Sequence, residues 1–429
     1  MLDINLLRAK PDFVKENQIK AGKKASDVDD ALKLDKKWRE RKLGLDNLRS
    51  KRNKISEGIN QAKKNKDEKK AKELIKEAKS IPIEIKNLEI QEQELKNKLS
   101  SALSAMPNII SKCTPIGKDS SDNKEIKKFG KVKKFSYPIK THVELAENLG
   151  IADFDESAKT SGNGFYYLKN ELAYLNQALI RFTIDYMKKK KYEYIETHLM
   201  IKQDIFAASE GIQTFANSIY KVEASDLALI GTAEHALMAM HVGETFQEKE
   251  LPKKYFSYSM CFRKEIGSHG INEKGLWRTH QFNKVEQFVF CLPEDSEKYY
   301  DELMKNSEGI LKELELPYRV IEICTGDLAP WKYRSADIEV WRPTTESYGE
   351  VMSLSNITDY QAREHNIRVV RKNGEREVVH TLNNTALATS RILVALLENN
   401  QNKDGSINIP KSLWKYTGFK KIEKKKVEK

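Results

Sequence analysis

Between about Asp27 and Leu103, apolar residues recur at alternating steps of three and four, the rhythm of a helix that buries one seam against another helix. The first run reads Val28, Ala31, Trp38, Leu45, Leu48, Ile55, Ile59 and Ala62, with Asp35, Lys42 and Arg52 at seam positions. The second reads Ala71, Leu74, Ala78, Ile81, Ile85, Leu88, Leu95, Leu99 and Ala102, broken only by Glu92. Lys63-Lys64-Asn65-Lys66-Asp67-Glu68 separates them and suits the tip of an antiparallel hairpin of two long helices. Each helix would hold roughly 35 residues and, at ~1.5 Å per residue, reach about 50 Å. Pro82 removes a backbone donor and crowds the carbonyl of Ala78, so the second helix is expected to kink there. The pattern alone leaves two uses for such an arm, a spacer or oligomerisation device and a nucleic-acid grip. Its basic tip suits the second but equally describes a solvated surface.

From about Pro107 to Pro138 the periodicity gives way to a Ser/Lys/Asp/Gly-rich stretch expected to be a linker. A second body follows. Thr141 and Glu144 have the spacing of a capping box, Gly150 that of a helix stop, and Leu172, Leu175, Leu179, Phe182 and Tyr186 mark a long amphipathic helix. Phe256 to Arg263 alternates large apolar with small or polar residues and predicts a half-buried strand, with Arg263 on the face of Ser257, Ser259 and Cys261. A loop from Glu265 to Trp277 leads to a second strand-like run, Arg278 to Phe290, in which Arg278, His280, Phe282, Lys284 and Glu286 share a face. Helices followed by strands, without regular βαβ alternation, predict an antiparallel α+β core.

With 429 residues, 39% hydrophobic and 32% charged, the chain is long enough for two or three domains and too polar for a membrane protein. A lone small binding module is excluded. The 75 Lys+Arg exceed the 63 Asp+Glu by 12, which fits either a polyanionic partner or a lysine-rich source composition. Cys113, Cys261, Cys291 and Cys324 lie far apart without a C-x-x-C pair, so neither a disulfide framework nor a zinc ribbon is indicated, and a reducing cytoplasm fits. Arg8, Lys10 and Pro11 interrupt any signal-peptide core, and no membrane-length apolar stretch occurs.

The chain lacks G-x-x-x-x-G-K-[ST], G-x-G-x-x-G between strand and helix, and H-E-x-x-H. A phosphate would therefore have to be held by arginines and helix ends. Three clusters qualify as chemistry. Gly231-Thr232-Ala233-Glu234 also reads as a helix cap. The hairpin pairs Phe262-Arg263-Lys264-Glu265 with Gly275-Leu276-Trp277-Arg278-Thr279-His280-Gln281-Phe282-Asn283-Lys284-Val285-Glu286. In Thr381 to Glu398, Asn and Thr are expected to cap a helix, with Asn384, Ala388 and Arg391 along one face.

These clusters together resemble the seryl-tRNA synthetases, a family of class II aminoacyl-tRNA synthetases, and the resemblance runs from the Met1 to Arg8 start through the arm to the core. The hairpin resembles class II motif 2, including the family's G-L-x-R-x-H-Q-F-x-K-x-E stretch, and the third cluster resembles motif 3. Asp337 to Trp341, Tyr348 to Ser353 and Asn356 to Arg363 are also similar to the family. Two departures stand out. Tyr194 to Ile201 holds the place of motif 1 with Thr197-His198 where the family has a proline, and Asn383-Asn384-Thr385-Ala386 replaces a glycine-containing Asn-Gly-Ser-Gly.

The resemblance implies an α+β fold, an antiparallel-sheet class II synthetase catalytic core with an N-terminal long antiparallel two-helix coiled-coil arm. Residues 1–112 would form a tRNA-binding domain with the arm at about 27–103, and residues 113–429 the catalytic domain with a lysine-rich tail. The implied activity joins L-serine to ATP as seryl-adenylate and passes serine to the 3′-terminal ribose of tRNA(Ser), with tRNA(Sec) left open. The serine carboxylate is the nucleophile, so positioning and charge stabilisation would carry the rate. Arg263 would bridge the serine carboxylate and α-phosphate, Phe282 stack on adenine, Glu265 meet the base edge, and Arg391 hold the γ-phosphate. Lys264, Val351 and Met352 complete the ATP-binding residues, and Glu350 and Ser353 would hold Mg²⁺ if a bulge or strand end put them on one face. Thr232 and Glu234 would take the serine ammonium, with Ala233 also among the serine-binding residues, Glu286 and Thr385 its hydroxyl, and Lys63, Lys64 and Lys66 the tRNA. No zinc is expected, because Thr232 and Thr385 stand where zinc-binding relatives carry cysteines. A homodimer in the cytoplasm, away from membranes, completes the expectation. The alternative is a catalytically silent paralogue acting as an RNA-binding or scaffold protein, disfavoured by the presence of Arg263, Glu286 and Arg391.

Overall fold

The structure, a computed structural model, describes residues 1–210, 218–265 and 274–424. Most of the loop expected after Glu265 (266–273) and the end of the lysine-rich tail (425–429) therefore lie outside the described residues. The chain divides into two compact units, Met1–Pro107 and Asn108–Lys429.

The first unit is helical: α1 (Ile4–Ala9), α2 (Pro11–Lys20), α3 (Ser26–Lys64), α4 (Glu68–Ala78) and α5 (Ile81–Ala105). Helix α3 runs antiparallel to α4 and α5, as the cross-helix partners show: Trp38 with Glu92, Arg49 with Glu89, and Lys51 with Glu77. The periodic apolar residues form the seam, with Leu45, Ile55, Ile81 and Ile85 buried and Leu48, Ile59, Leu74 and Leu88 packed on them. Glu92, which interrupts the pattern, accepts from the Trp38 indole at 2.6 Å. Asp35 is fully buried because Arg8 and Arg39 both pair with it. Gly58 permits close helix approach, since a Cβ there would stand 3.1 Å from Leu74 Cδ1. At Pro82 the helix breaks outright rather than kinking, and the proline sits in the first turn of α5, where its missing N–H leaves no helical bond unmade. The turn at 65–67 places Lys63, Lys64 and Lys66 in solvent.

The second unit is built on an eight-stranded sheet: β1 (Lys124–Phe129), β2 (Glu193–Tyr194), β3 (Lys253–Phe262), β4 (Gln281–Cys291), β5 (Tyr318–Glu322), β6 (Arg334–Arg342), β7 (Ser347–Thr358) and β8 (His380–Ala388), in the order β1-β5-β6-β7-β8-β4-β3-β2. All neighbours are antiparallel except β2 with β3. Its principal helices are α6 (His142–Leu149), α7 (Asn170–Lys189), α8 (Ala233–Ala239), α9 (Ser296–Glu313) and α10 (Thr389–Asn399). The capping box of Thr141 with Glu144 and the left-handed Gly150 bound α6 as expected. The apolar core joins one face of the sheet, through Val285, Leu354 and Leu382, to Leu175 and Leu179 of α7, Leu303 and Ile310 of α9, and Ile392 and Leu396 of α10. No described helix is long and apolar enough to cross a membrane.

Two expectations need correction. The stretch 107–138 is not merely a linker, because Lys124–Phe129 pairs with Tyr318–Glu322 as the sheet edge, and Asn108 and Ser111 donate backbone hydrogen bonds to Pro330 and Tyr333. The Asn-Thr run of the third cluster does not cap a helix: Asn383 to Ala388 is strand, paired on both sides, and the helix starts only at Thr389. Ladder pairing at the centre of the sheet overrides the helix-forming Ala and Leu of this segment. Asn384 faces α9, donating to Leu303 O at 2.9 Å and Ser307 Oγ at 2.8 Å.

Candidate active site

The face of the sheet opposite α9 is polar, and a cleft of about 260 Å³ opens on it. Its centre is the β3–β4 hairpin, which pairs as expected, Ser257 opposite Glu286 and Cys261 opposite Phe282. Strand β4 begins at Gln281, so Arg278 reaches the cleft from the connection before it, while Phe282, Lys284 and Glu286 follow the strand alternation. Arg263, just past β3, donates through Nε to Gly231 O at 3.2 Å and lies 5.4 Å over the Phe282 ring. Glu265 receives Arg278 at 2.8 Å.

Two bulges set the far wall. On β7, Met352 pairs with Ile338 but Glu350 pairs with Glu339, so Val351 is the extra residue. The bulge resets the alternation and brings Glu350 and Ser353 to the same cleft despite their odd spacing. On β8 the extra residue is Ala386, next to Thr385, which stands opposite Glu286.

At the inner end, Thr232 caps α8, accepting from Glu234 N at 3.3 Å, so the cap and site readings of this segment hold together. The buried Glu234 accepts from Asn383 Nδ2 at 2.8 Å and from Gln361 Nε2 at 3.0 Å. Glu286 pairs with Lys284 at 2.5 Å and accepts from Thr232 Oγ1 at 3.2 Å. At the outer end Arg391, in the first turn of α10, donates to Glu350 O at 2.8 Å and Oε2 at 3.2 Å. Lost hydration at the rim works to raise the Glu350 carboxyl, but Arg391, with help from Arg263, holds it below its ordinary range. Behind it, burial first and the Glu350 charge second push the Asp337 carboxyl up to about 7, and Asp337 Oδ1 has no hydrogen-bond partner.

The cleft thus gathers Thr232, Glu234, Arg263, Glu265, Phe282, Glu286, Glu350, Val351, Ser353, Thr385 and Arg391. Ala233, Lys264 and Met352 are not among its lining residues: Ala233 is buried within α8, Lys264 Nζ lies 5.8 Å over the Tyr220 ring, and Met352 packs in the apolar core. Lys63, Lys64 and Lys66 belong to the other unit. Several positions in and behind the cleft had no role assigned from sequence. Trp277 lies between Arg342 at 4.1 Å and Arg391 at 5.3 Å, and its carbonyl accepts from Arg391 Nε at 3.3 Å. Gly349 makes room for that ring, because a Cβ there would be 2.4 Å from Trp277 Cζ2. The Gly-Leu-Trp-Arg run was the available signal for Trp277 and Arg278, and the Asp-Ile-Glu-Val-Trp run for Asp337.

Residues 1–110 match the seryl-tRNA synthetase N-terminal domain, and residues 220–400 match the tRNA synthetase class II core domain (G, H, P, S and T). A serine–tRNA ligase of Pyrococcus horikoshii is 44% identical, with 98% of this chain and 97% of that protein covered. The chain belongs to the seryl-tRNA synthetase family. A serine–tRNA ligase of Nitrosopumilus maritimus is 40% identical over 98% of this chain and 100% of its own length. The crystal structure of the Pyrococcus horikoshii seryl-tRNA synthetase complexed with ATP superposes with a TM-score of 0.91 at 43% identity, covering 99% of this chain and 100% of that one. The cytoplasmic serine–tRNA ligase of Naegleria fowleri in complex with AMP gives 0.87 at 32% identity, covering 99% of each chain. The antiparallel core and helical arm expected from the sequence are those of this family.

Proposed function

We propose that the chain is a serine–tRNA ligase: it activates L-serine with ATP and transfers the seryl group to the terminal ribose of tRNA(Ser). The observation that carries this reading is the convergence, in one cleft, of Arg263 over Phe282, the Glu234 carboxylate held by neutral amides, Glu286 beside Thr232, and Arg391 at a helix start. Serine fits with its ammonium toward Glu234, its carboxylate toward Arg263 and its hydroxyl toward Glu286 and Thr385. ATP then lies outward, with adenine on Phe282 and the terminal phosphate at Arg391. Attack by the serine carboxylate on the α-phosphorus requires no protein nucleophile, so the residues act by orientation and by the Arg263 fork spanning both reacting groups.

Glu350 and Ser353 supply hard oxygen donors on one face, with the unpartnered Asp337 Oδ1 behind them, a set that fits Mg²⁺. Bound with ATP, Mg²⁺ neutralises phosphate charge. The arm and its exposed lysine tip suit tRNA backbone contact. A groove lined by Ile195, Met200 and Ile205, rimmed by the exposed Tyr194, Leu199 and Met240, suits burial against a second copy as a homodimer. The four free cysteines fit the cytoplasm.

The test is ATP–pyrophosphate exchange with serine, followed by aminoacylation of tRNA(Ser). Exchange with no amino acid, from folded protein that still binds RNA, would favour the silent-paralogue reading instead.

A further inference from the structure

Lys284 is buried in the floor of the cleft, its side chain 7% exposed and that of Glu286 2% exposed. Its ammonium lies 2.5 Å from Glu286 Oε2, and the Thr232 hydroxyl donates to the same oxygen at 3.2 Å. Among the described residues, Oε1 of Glu286 carries no hydrogen bond. One carboxylate oxygen is thus occupied and the other is left to the cleft. A buried ion pair is weak evidence for stability, because apolar residues of similar volume often serve as well. Its position beside the substrate floor needs another reason.

We propose that Lys284 is a specificity-determining positioning residue for the serine side chain. It holds the Glu286 carboxylate in one orientation, with Oε2 occupied and Oε1 presented as an acceptor to the substrate hydroxyl. The inference rests on the reading of the chain as a serine–tRNA ligase. Charge balance supports it. Glu234 and Arg263 match the ammonium and carboxylate of a bound amino acid, and the Lys284–Glu286 pair adds no net charge, so the side-chain subsite calls for a neutral donor. An uncompensated Glu286 would instead compete with Glu234 for the ammonium. An ionised carboxylate has no proton to offer, so alanine would leave Oε1 desolvated and unpaired. The other charged or titratable groups around Glu286 are Arg263 and Cys261 from β3 and its end and Glu234 from α8, while β8 contributes the neutral Thr385 and Asn383. Lys284 is the cation directly paired with it.

The test compares wild type with Lys284→Met, Lys284→Arg, Glu286→Gln and the double variant Lys284→Met/Glu286→Gln in pyrophosphate exchange, with serine and with alanine. Lys284→Met should lower serine kcat/KM by about 10²-fold, mainly through KM, and reduce serine-over-alanine discrimination at least about tenfold. Lys284→Arg should restore most of the discrimination. The double variant, with no buried charge left unpaired, should discriminate no worse than Glu286→Gln alone. An unchanged serine KM and alanine ratio in Lys284→Met would overturn the inference, as would losses that multiply in the double variant. If Lys284→Met fails to fold, the comparison of the double variant with Glu286→Gln decides by the same criterion. Wild type that exchanges no serine would overturn the functional reading itself, a separate result from an active wild type with an indifferent Lys284.

Discussion

Replacing Arg263 by lysine keeps the charge and removes the fork, and the structure gives the size of the expected effect. The guanidinium is held at two points, by Nε on the Gly231 carbonyl at 3.2 Å and by its plane over Phe282 at 5.4 Å, and it lines the cleft. A lysine ammonium has neither the fixed plane nor the second parallel donor, so it can meet the serine carboxylate or the α-phosphate but not bridge them. Charge-assisted hydrogen bonds contribute about 1.5–3 kcal/mol each, and losing one of the two bridging bonds in the transition state costs about that much. At 1.36 kcal/mol per decade this predicts a fall of roughly 10- to 10²-fold in kcat/KM for pyrophosphate exchange. The fold should survive, because Arg263 lies past the end of β3 and forms none of the apolar core. The assay is exchange at saturating ATP with serine varied, alongside thermal unfolding. Exchange kinetics within about fivefold of wild type would refute the bridging role and the orientation of serine built on it.

Deleting Val28 to Leu99 and closing the gap with a short linker should spare exchange, since every cleft residue lies in the second unit, while aminoacylation falls sharply. Equal loss in both assays would mean that the arm supports the core. Charge reversal at Lys63, Lys64 and Lys66 should give a milder, salt-sensitive loss of tRNA affinity, read from binding isotherms at two salt concentrations. Met200→Glu with Met240→Glu should shift sedimentation from dimer toward the 49.4 kDa monomer, and an unchanged profile would place the interface elsewhere. For Asp337 the folded carboxyl titrates near 7 against an ordinary 3.8, so the folded state holds the extra proton and stability falls as pH rises across that window. Asp337→Asn should therefore be more stable than wild type above pH 7, by on the order of a few kcal/mol in chemical denaturation, with little difference near pH 4, and should bind Mg²⁺·ATP less well.

The arm was legible because its signal is long: a seam repeated over two helices survives single exceptions, of which Asp35 is paired with two arginines and Glu92 with Trp38, while Lys42 and Arg52 are exposed. The β3–β4 hairpin was legible because alternation and loop chemistry agree, and its start was placed three residues early because Arg278 continues the period without joining the ladder. Asn383 to Ala388 misled for the opposite reason. Local preference there favours a helix, and only the two neighbouring strands, distant in sequence, make it the middle of a sheet. Lys124 to Phe129 has too little apolar character to show as a strand, and edge pairing with β5 alone supplies it.

The two bulges were beyond reach because one inserted residue has no compositional mark, yet they decide which side chains meet. Without the extra Val351, Glu350 and Ser353 would face opposite sides of β7, and one of them would lie in the apolar core beneath. With it, the same stretch turns Met352 and Leu354 inward to pack while giving the cleft both oxygen donors. The irregularity at Ala386, on the adjacent strand, sits beside the Thr385–Glu286 pair at the serine end. Besides register shifts at Glu125–Lys127 and Asn356–Thr358, the sheet breaks its alternation at two places beside the cleft, where the polar face has to assemble donors and acceptors from different strands. The cost falls on that polar face, where Asp337 and Glu286 are carboxylates withdrawn from water, and the back-face core supplies the stability that lets them stay there.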